Sequence, residues 1–384
     1  MNNYKNGFNR DFSVYTERID FECWEYHQVG QKIYDYVFVT HLPAFYKTNL
    51  YNKLSAQKLS ILVIFVSASS VIRTLDFVQS TNYDFDYIIL NQLPFEKRNQ
   101  FQSSFQLIKI LKKIHFKKII LGGWDLIEFW IAWILINKSK LAIALESSIH
   151  ESQTTGPKSW LKKIFASKLS SAYVSGVFQQ KLIEALNFNQ AIITTGGVGL
   201  IQPPKKPDPK VEKTRQFRGR FLYLGRLSTE KNIELLVNLF TQEYKHYRLS
   251  LIGKGPLETW IREKTKHVEN IELLDHVPNA EIDRVFYTHD VLILPSQREP
   301  WGLVVEEALA YGVPVIVSDQ VGCHPEIIAH QINGYVFNLK EGFQGLAKAC
   351  DWVAKNYIAL IENIARHPEA GWRNREQKQV AAYL

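Results

Sequence analysis

The chain has 384 residues, 46% of them hydrophobic and 22% charged, with a formal net charge of +8. That length suits two domains rather than one core, and the hydrophobic fraction excludes a disordered chain. The positive balance favours an anionic partner (nucleic acid, an acidic membrane face or a phosphorylated ligand), and three well-separated cysteines, Cys23, Cys323 and Cys350, argue against both a disulfide framework and a zinc pattern.

Residues 1–12 are polar with no apolar core, so no signal peptide is expected and a cytosolic setting is the default. Residues 1–32 show no clean period. Short apolar runs at 35–40, 59–67, 87–90, 118–121 and 141–145 read as strands. They alternate with helical patterns at 46–54, 101–115 and 126–136, the pattern of a parallel, doubly wound sheet. The most apolar run, 119–136, is interrupted by Asp125 and Glu128, whereas a membrane span needs roughly 20 apolar residues. Residues 159–172 are expected to be helical, with Trp160, Leu161, Ile164, Phe165, Leu169 and Ala172 on one side. Strands follow at 173–175 and 191–194.

Four prolines fall between 203 and 209, among lysines, and mark an exposed linker. The same grammar then restarts, with strands at 221–224, 248–252, 271–274, 290–294, 313–317 and 335–337. The expected division is a first Rossmann-like domain at 1–205, a linker at 206–217, a second Rossmann-like domain at 218–352 and a helical tail at 353–384 that packs back on the first domain.

Chemistry concentrates after the strand at 290–294. Pro295 and Ser296 break that strand, and residues 303–311 read as a helix that ends at Gly312, with Pro314 beyond it. Backbone N–H groups of Gly302, Leu303 and Val304 at that helix start suit a phosphate oxygen, and Gly302 lets a ligand approach the backbone. Glu299 and Glu307, seven residues between them, are carboxylates suited to vicinal hydroxyls. Glu306 reads as a helix-face residue. Gly225 and Arg226 end the strand at 221–224, and Lys231 follows at an expected helix start; two cations at the carboxyl edge of a parallel sheet suit a phosphate ligand. Gly253 ends the next strand. Asp290 reads as structural.

With Gly225-Arg226-Leu227, Lys231 and the Glu299–Glu307 pair together, residues 221–337 resemble the donor-binding domain of retaining nucleotide-sugar glycosyltransferases of the GT-B fold. This is the large group 1 family of bacterial polysaccharide, lipopolysaccharide and mannosyl transferases. The runs at 251–256, 290–296, 318–328 and 333–335 also carry the resemblance. It implies two Rossmann-like domains with parallel sheets facing each other across a cleft. It also implies a retaining hexosyl or N-acetylhexosaminyl transferase, with a UDP- or GDP-linked sugar as donor and a polysaccharide, lipopolysaccharide or lipid-linked acceptor. Arg226 and Lys231 would hold the diphosphate, Glu299 the donor-sugar hydroxyls and Glu307 the ribose diol. Gly225, Gly253, Trp301, Gly302, Leu303 and Val304 would complete the donor site. No metal or cofactor is implied. Asn232 departs from the pattern, standing where glycine is common.

The first half matches the family only in outline. Members often carry a histidine or acidic loop facing the donor sugar. The loop after the strand at 141–145 offers His150 first and Glu146 second. Tyr46, Lys47, Thr48 and Trp124 lie on loops of the same sheet edge and are acceptor-side candidates. Five lysines at 109–118, and four at 158–168 beside Trp160, Ile164 and Phe165, suit the anionic inner face of a cytoplasmic membrane. The rival readings are a sugar-nucleotide epimerase of the same architecture, and a basic membrane- or nucleic-acid-binding protein. No nucleic-acid motif is present, so nucleic acid is not an expected partner.

Overall fold

In the computed structural model, residues 32–73, 75–78, 82–205, 216–366 and 372–384 are described. Residues 1–31, and most of the expected linker at 206–217, lie outside that set. Two wholly parallel sheets organise the chain. The first holds β1 (Ile33–Thr40), β2 (Ile61–Phe65), β3 (Asp86–Ile89), β4 (His115–Leu121), β5 (Leu141–Leu145), β6 (Ser171–Val174) and β7 (Ala191–Thr194), in the order β3-β2-β1-β4-β5-β6-β7. The direction of winding reverses between β1 and β4. Such a switch point opens a crevice at the carboxyl ends of the strands.

Among the described residues, this domain has the α-helices α1 (Phe45–Ala56), α2 (Leu75–Val78), α3 (Gln100–Leu111), α4 (Ile127–Leu135), α5 (Gly156–Ser167) and α6 (Val177–Ala185). α3 to α6 bury Leu107, Phe129, Phe165 and Leu182 on one face of the sheet. α1 buries Leu50 and Leu54 on the other. β2 is buried at every position, which is why it reads as an unbroken apolar run rather than an alternating one.

The second sheet has the order β10-β9-β8-β11-β12-β13. Its strands are β8 (Arg220–Leu224), β9 (Arg248–Ile252), β10 (Ile271–Leu274), β11 (Val291–Leu294), β12 (Val315–Ser318) and β13 (Gly334–Phe337). Its helices are α7 (Ile233–Gln242), α8 (Glu258–Thr265), α9 (Ile282–Thr288), α10 (Leu303–Ala310), α11 (His324–Ile327) and α12 (Gly342–Arg366). The switch point here lies between β8 and β11. Asp290 is structural: its Oδ2 accepts from the amides of Arg218 and Arg220, both at 2.9 Å.

Three boundaries differ from expectation. The helix expected at 101–115 stops at Leu111, and β4 begins at His115. The helix expected at 159–172 runs from Gly156 to Ser167, and Ala172 belongs to β6. In each case the next strand is itself buried, so apolar spacing continued past the helix end. A domain end at 352 would cut α12, a single helix of 25 residues whose buried face (Leu346, Cys350, Val353, Tyr357) belongs to the second core.

The last helix, α13 (Trp372–Ala381), crosses back to the first domain. The Gln379 side chain donates to the Gly199 carbonyl at 2.9 Å, and Glu376 pairs with Lys53 at 2.9 Å. Tyr383 stacks on Tyr173, ring centres 4.8 Å apart.

Candidate active site

β8 is followed by Gly225, whose φ of 155° begins a tight loop, and a short 3-10 turn (Thr229–Lys231) precedes α7. Lys231 is therefore the last residue of that turn rather than the first of the helix. Asn232 follows with φ 58°, a left-handed conformation that asparagine tolerates better than most residues. Its amide also donates to the Pro295 carbonyl at 3.2 Å. The departure from glycine is thus accommodated.

Within this loop Arg226 pairs with Glu230 at 2.5 Å, and the Ser228 hydroxyl donates to the same carboxylate at 2.7 Å. Burial pushes the Glu230 carboxyl up. The bonds from Ser228, from its own backbone and from Arg226 outweigh that and hold it below the usual carboxylate range. Beneath the loop, the buried Tyr223 hydroxyl donates to the Arg226 carbonyl at 2.7 Å.

Lys231 reaches Glu299 at 2.5 Å, each side chain 14% exposed. This contact joins the loop after β8 to the loop after β11, across the switch point. Glu299 is fixed by its backbone: it forms a parallel bridge with Val321, and its carbonyl accepts from the Gly322 amide at 2.9 Å. A Cβ at Gly322 would stand 1.8 Å from the Pro300 carbonyl oxygen, so only glycine permits this approach.

Gly302 caps α10 with φ 100°. Leu303 and Val304 are half-buried and open the helix. Trp301, expected at the donor site, is instead 3% exposed and packs in the second core. Gly253 is a packing residue: a Cβ there would lie 2.0 Å from the Gly225 carbonyl oxygen. Glu306 is not a solvated helix-face residue. It is 2% exposed and pairs with Arg375 of α13 at 3.4 Å. Half-buried Glu307 is pushed up to about 8, first by burial and then by neighbouring Glu306.

On the first domain, Glu146 is engaged internally. It pairs with Lys47 at 2.6 Å and accepts from the Tyr46 hydroxyl at 3.4 Å, and Lys47 also donates to Thr40 at 3.1 Å. Lys47 and Tyr46 are buried. Thr48 is fully buried, its hydroxyl bonded to the Phe45 carbonyl within the start of α1, so it cannot face an acceptor. Trp124 is half-buried against the first core, and its carbonyl accepts from Trp130. His41 on the loop after β1 meets Asp125 on the loop after β4 at 2.8 Å, so the two loops are gathered at the switch point.

His150 stands edge-on to Phe178, ring centres 4.3 Å apart, and Phe178 meets His324 of the second domain at 5.2 Å. The buried His150 Nε2 has no hydrogen-bond partner. Burial lowers its pKa, with Lys181 adding and Asp319 opposing, so the ring is neutral at pH 7. Glu151, one residue on, is raised by burial and further by the charge of Glu299, with Lys231 opposing. Glu151 of the first domain thus lies within electrostatic reach of Glu299 and Lys231 of the second. Gln179 spans the cleft directly, donating to the Pro300 carbonyl at 2.8 Å. Glu230, Glu151 and His324 carry no signal of their own in the sequence and become visible only through these contacts. Among the described residues no group of three or more His, Cys, Asp or Glu side chains is gathered as a metal site.

Two parallel-sheet domains, with a cation–carboxylate pair at the switch point of the second, define a GT-B protein. Comparison with known proteins agrees. Residues 205–367, within the second domain and its helical extension, match the family described as "Glycosyl transferases group 1". An uncharacterized glycosyltransferase of Methanocaldococcus jannaschii is 29% identical over 171 residues, 42% of this chain and 44% of that protein. The alpha-monoglucosyldiacylglycerol synthase of Acholeplasma laidlawii is 35% identical over 128 residues, 31% of each chain. The chain thus spans less than half the length of these curated relatives. In structure it is similar to Anabaena HepE, solved with UDP and glucose, with a TM-score of 0.69 and 14% identity over 91% of this chain and 98% of that one.

Proposed function

We propose that the protein transfers a hexosyl or N-acetylhexosaminyl group from a nucleoside-diphosphate sugar to a glycan or lipid-linked acceptor, with retention of anomeric configuration. The observation that carries this reading is the Lys231–Glu299 pair at the switch point, beside Arg226 and under the Gly302 turn. A diphosphate at the start of α10 takes two cations out of carboxylate pairs: Lys231 from Glu299, and Arg226 from Glu230. Glu299 is then released to accept hydrogen bonds from hydroxyls of the donor sugar, and Glu307 holds the ribose diol. Burial keeps the Glu307 carboxyl protonated to about pH 8, so it both donates to and accepts from a diol. Neutral His150, with its unpartnered Nε2, contacts the donor sugar from the opposite wall.

Chemistry at such a site rests on placement and charge. Lys231 and Arg226 stabilise the negative charge that develops on the leaving diphosphate as the glycosidic bond breaks, and the cleft holds the acceptor oxygen on the same face of the sugar. Uridine diphosphate is favoured as the carrier because the similar Anabaena protein holds UDP and glucose. Thermal-shift titration with UDP, GDP, ADP and their sugars tests the donor site: a rise with one diphosphate is expected, and no rise with any of them overturns the reading. Proton NMR of the transfer product tests retention. Release of an epimer without acceptor would place the protein among the epimerases instead.

A further inference from the structure

The layer of helices on the first domain carries large apolar side chains on its outer side as well as its inner one. On α3, Phe101 is 84% exposed and Phe105 58%. On α4 Ile134 is 65% exposed, and on α5 Trp160 is 63% and Leu161 48% exposed. These helices are neighbours: α3 packs on α4, and Trp130 of α4 meets Phe165 of α5 with ring centres 4.9 Å apart. The apolar residues thus lie on one shared outer surface.

Charge on the same stretch has one sign. Between residues 100 and 170 there are 11 lysines and four acids. All four acids have partners of their own, and the charge of Glu151 also reaches Lys162 of α5. Glu128 is buried against Arg98, Asp125 bonds His41, Glu146 pairs with Lys47, and Glu151 accepts from the Ser148 amide. Some lysines are engaged too: Lys117 pairs with Asp35, and Lys168 bonds the carbonyls of Trp133 and Ile134 at the end of α4. Lys109, Lys112, Lys138 and Lys158 are exposed, and Lys109 lies over the Phe105 ring at 4.4 Å.

We propose that this three-helix face docks the protein on an anionic lipid bilayer. Aromatic and branched side chains enter the headgroup region, while lysine stems lie along them and their ammonium groups meet lipid phosphates. No helix among the described residues is long and apolar enough to cross a membrane, so the attachment is to its surface. Unpaired charge of a single sign over a broad face fits a bilayer better than a second copy of the chain, which would bring lysines against lysines. Helices in such a domain run antiparallel to the strands and start at the carboxyl edge of the sheet. Phe101 and Trp160, near the starts of α3 and α5, therefore lie at the cleft end of the layer. Docking holds the mouth of the cleft against the lipid. That consequence matters only for the glycosyltransferase reading; the docking itself is independent of it.

The test is sedimentation of the full chain with phosphatidylcholine vesicles, with and without phosphatidylglycerol. Binding is expected only to the anionic vesicles, weakened at high salt, and lowered about tenfold or more by Phe101→Ser/Phe105→Ser/Trp160→Ser. The same loss is expected in Lys109→Glu/Lys112→Glu/Lys158→Glu. Unchanged circular dichroism and Tm show that both variants fold, since every altered side chain is exposed. The proposal is overturned by absence of binding to anionic vesicles, by equal binding to neutral ones, or by undiminished binding of the apolar variant. It is overturned equally by a vesicle-free dimer that the apolar variant abolishes.

Discussion

Lys231 and Glu299 hold each other in a site that is largely closed to water, and each depends on the other for charge compensation. In the proposed reaction Lys231 is the cation that faces the leaving diphosphate, and for Lys231→Ala we expect transfer to fall about 10²- to 10³-fold, a typical loss for one preorganised charge-stabilising group. Steady-state kinetics with a UDP-sugar measures it, and turnover near that of the wild type refutes the assigned role. Glu307 makes a different prediction, in pH. Its carboxyl titrates at about 8 in the folded chain and near 4.5 when unfolded, because burial and then Glu306 disfavour the anion. A raised pKa gives stability that is complete below about pH 4.5 and is lost as pH rises toward 8. Relative to Glu307→Gln, the wild type should therefore lose stability over that window, by at most about 5 kcal/mol, at about 1.4 kcal/mol per pH unit. Parallel pH-dependent slopes in chemical denaturation of the two proteins would contradict it.

At the scale of elements, the site depends on loops pressed together backbone to backbone. The loops after β8 and β9 touch at Gly225 and Gly253, where the Leu227 amide also donates to the Lys254 carbonyl at 2.9 Å. Gly253→Ala puts a methyl group 2.0 Å from a carbonyl oxygen at a φ of 142°, so the loop bearing Arg226 must shift. The expected cost is about 2–4 kcal/mol, read from denaturant midpoints, with a larger loss of donor affinity. Asn232 behaves oppositely. Asn232→Gly should be nearly neutral and Asn232→Ala about 1 kcal/mol worse, since alanine resists the left-handed region. Equal stability of the two would show that the conformation is not what selects the residue. Sequence patterning located the strands because each is a buried apolar run between turn residues, and it singled out Lys231 and Glu299, which the structure brings into contact, because two βα loops fix their spacing. It could not separate Glu306 from Glu307, since α10 turns one carboxyl toward Arg375, 69 residues further along the chain, and the other away from it. Trp301 misled for a related reason: a tryptophan beside a site glycine signals contact, yet its backbone faces β12's loop while its ring fills the core.

At the scale of the molecule, one ion pair ties α10 to the segment that returns to the first domain. Glu306 of α10 pairs with Arg375 of α13, and α13 also holds Gly199 through Gln379 and Lys53 through Glu376. Burial raises the Glu306 carboxyl, and the Arg375 charge opposes that. Removing the cation by Arg375→Ala leaves a carboxyl with 2% exposure facing no compensating charge, a change that costs about 3–5 kcal/mol when such a pair is broken from one side. The pKa of Glu306 then rises further, so the deficit should widen as pH climbs through the raised pKa that Glu306 has in the wild type, by the same sign argument as for Glu307. Adding Glu306→Gln should restore part of the loss, because a neutral amide carries no charge to leave uncompensated. Urea denaturation of the four proteins of this cycle at two pH values measures each quantity. A deficit that neither depends on pH nor recovers in the double variant would mean that α13 contributes packing alone, through Val380 and Tyr383 against the first core. Transfer by Arg375→Ala should meanwhile fall less than about tenfold below its unfolding transition, because the pair sets how α10 sits against the first domain and does not face the reacting bond.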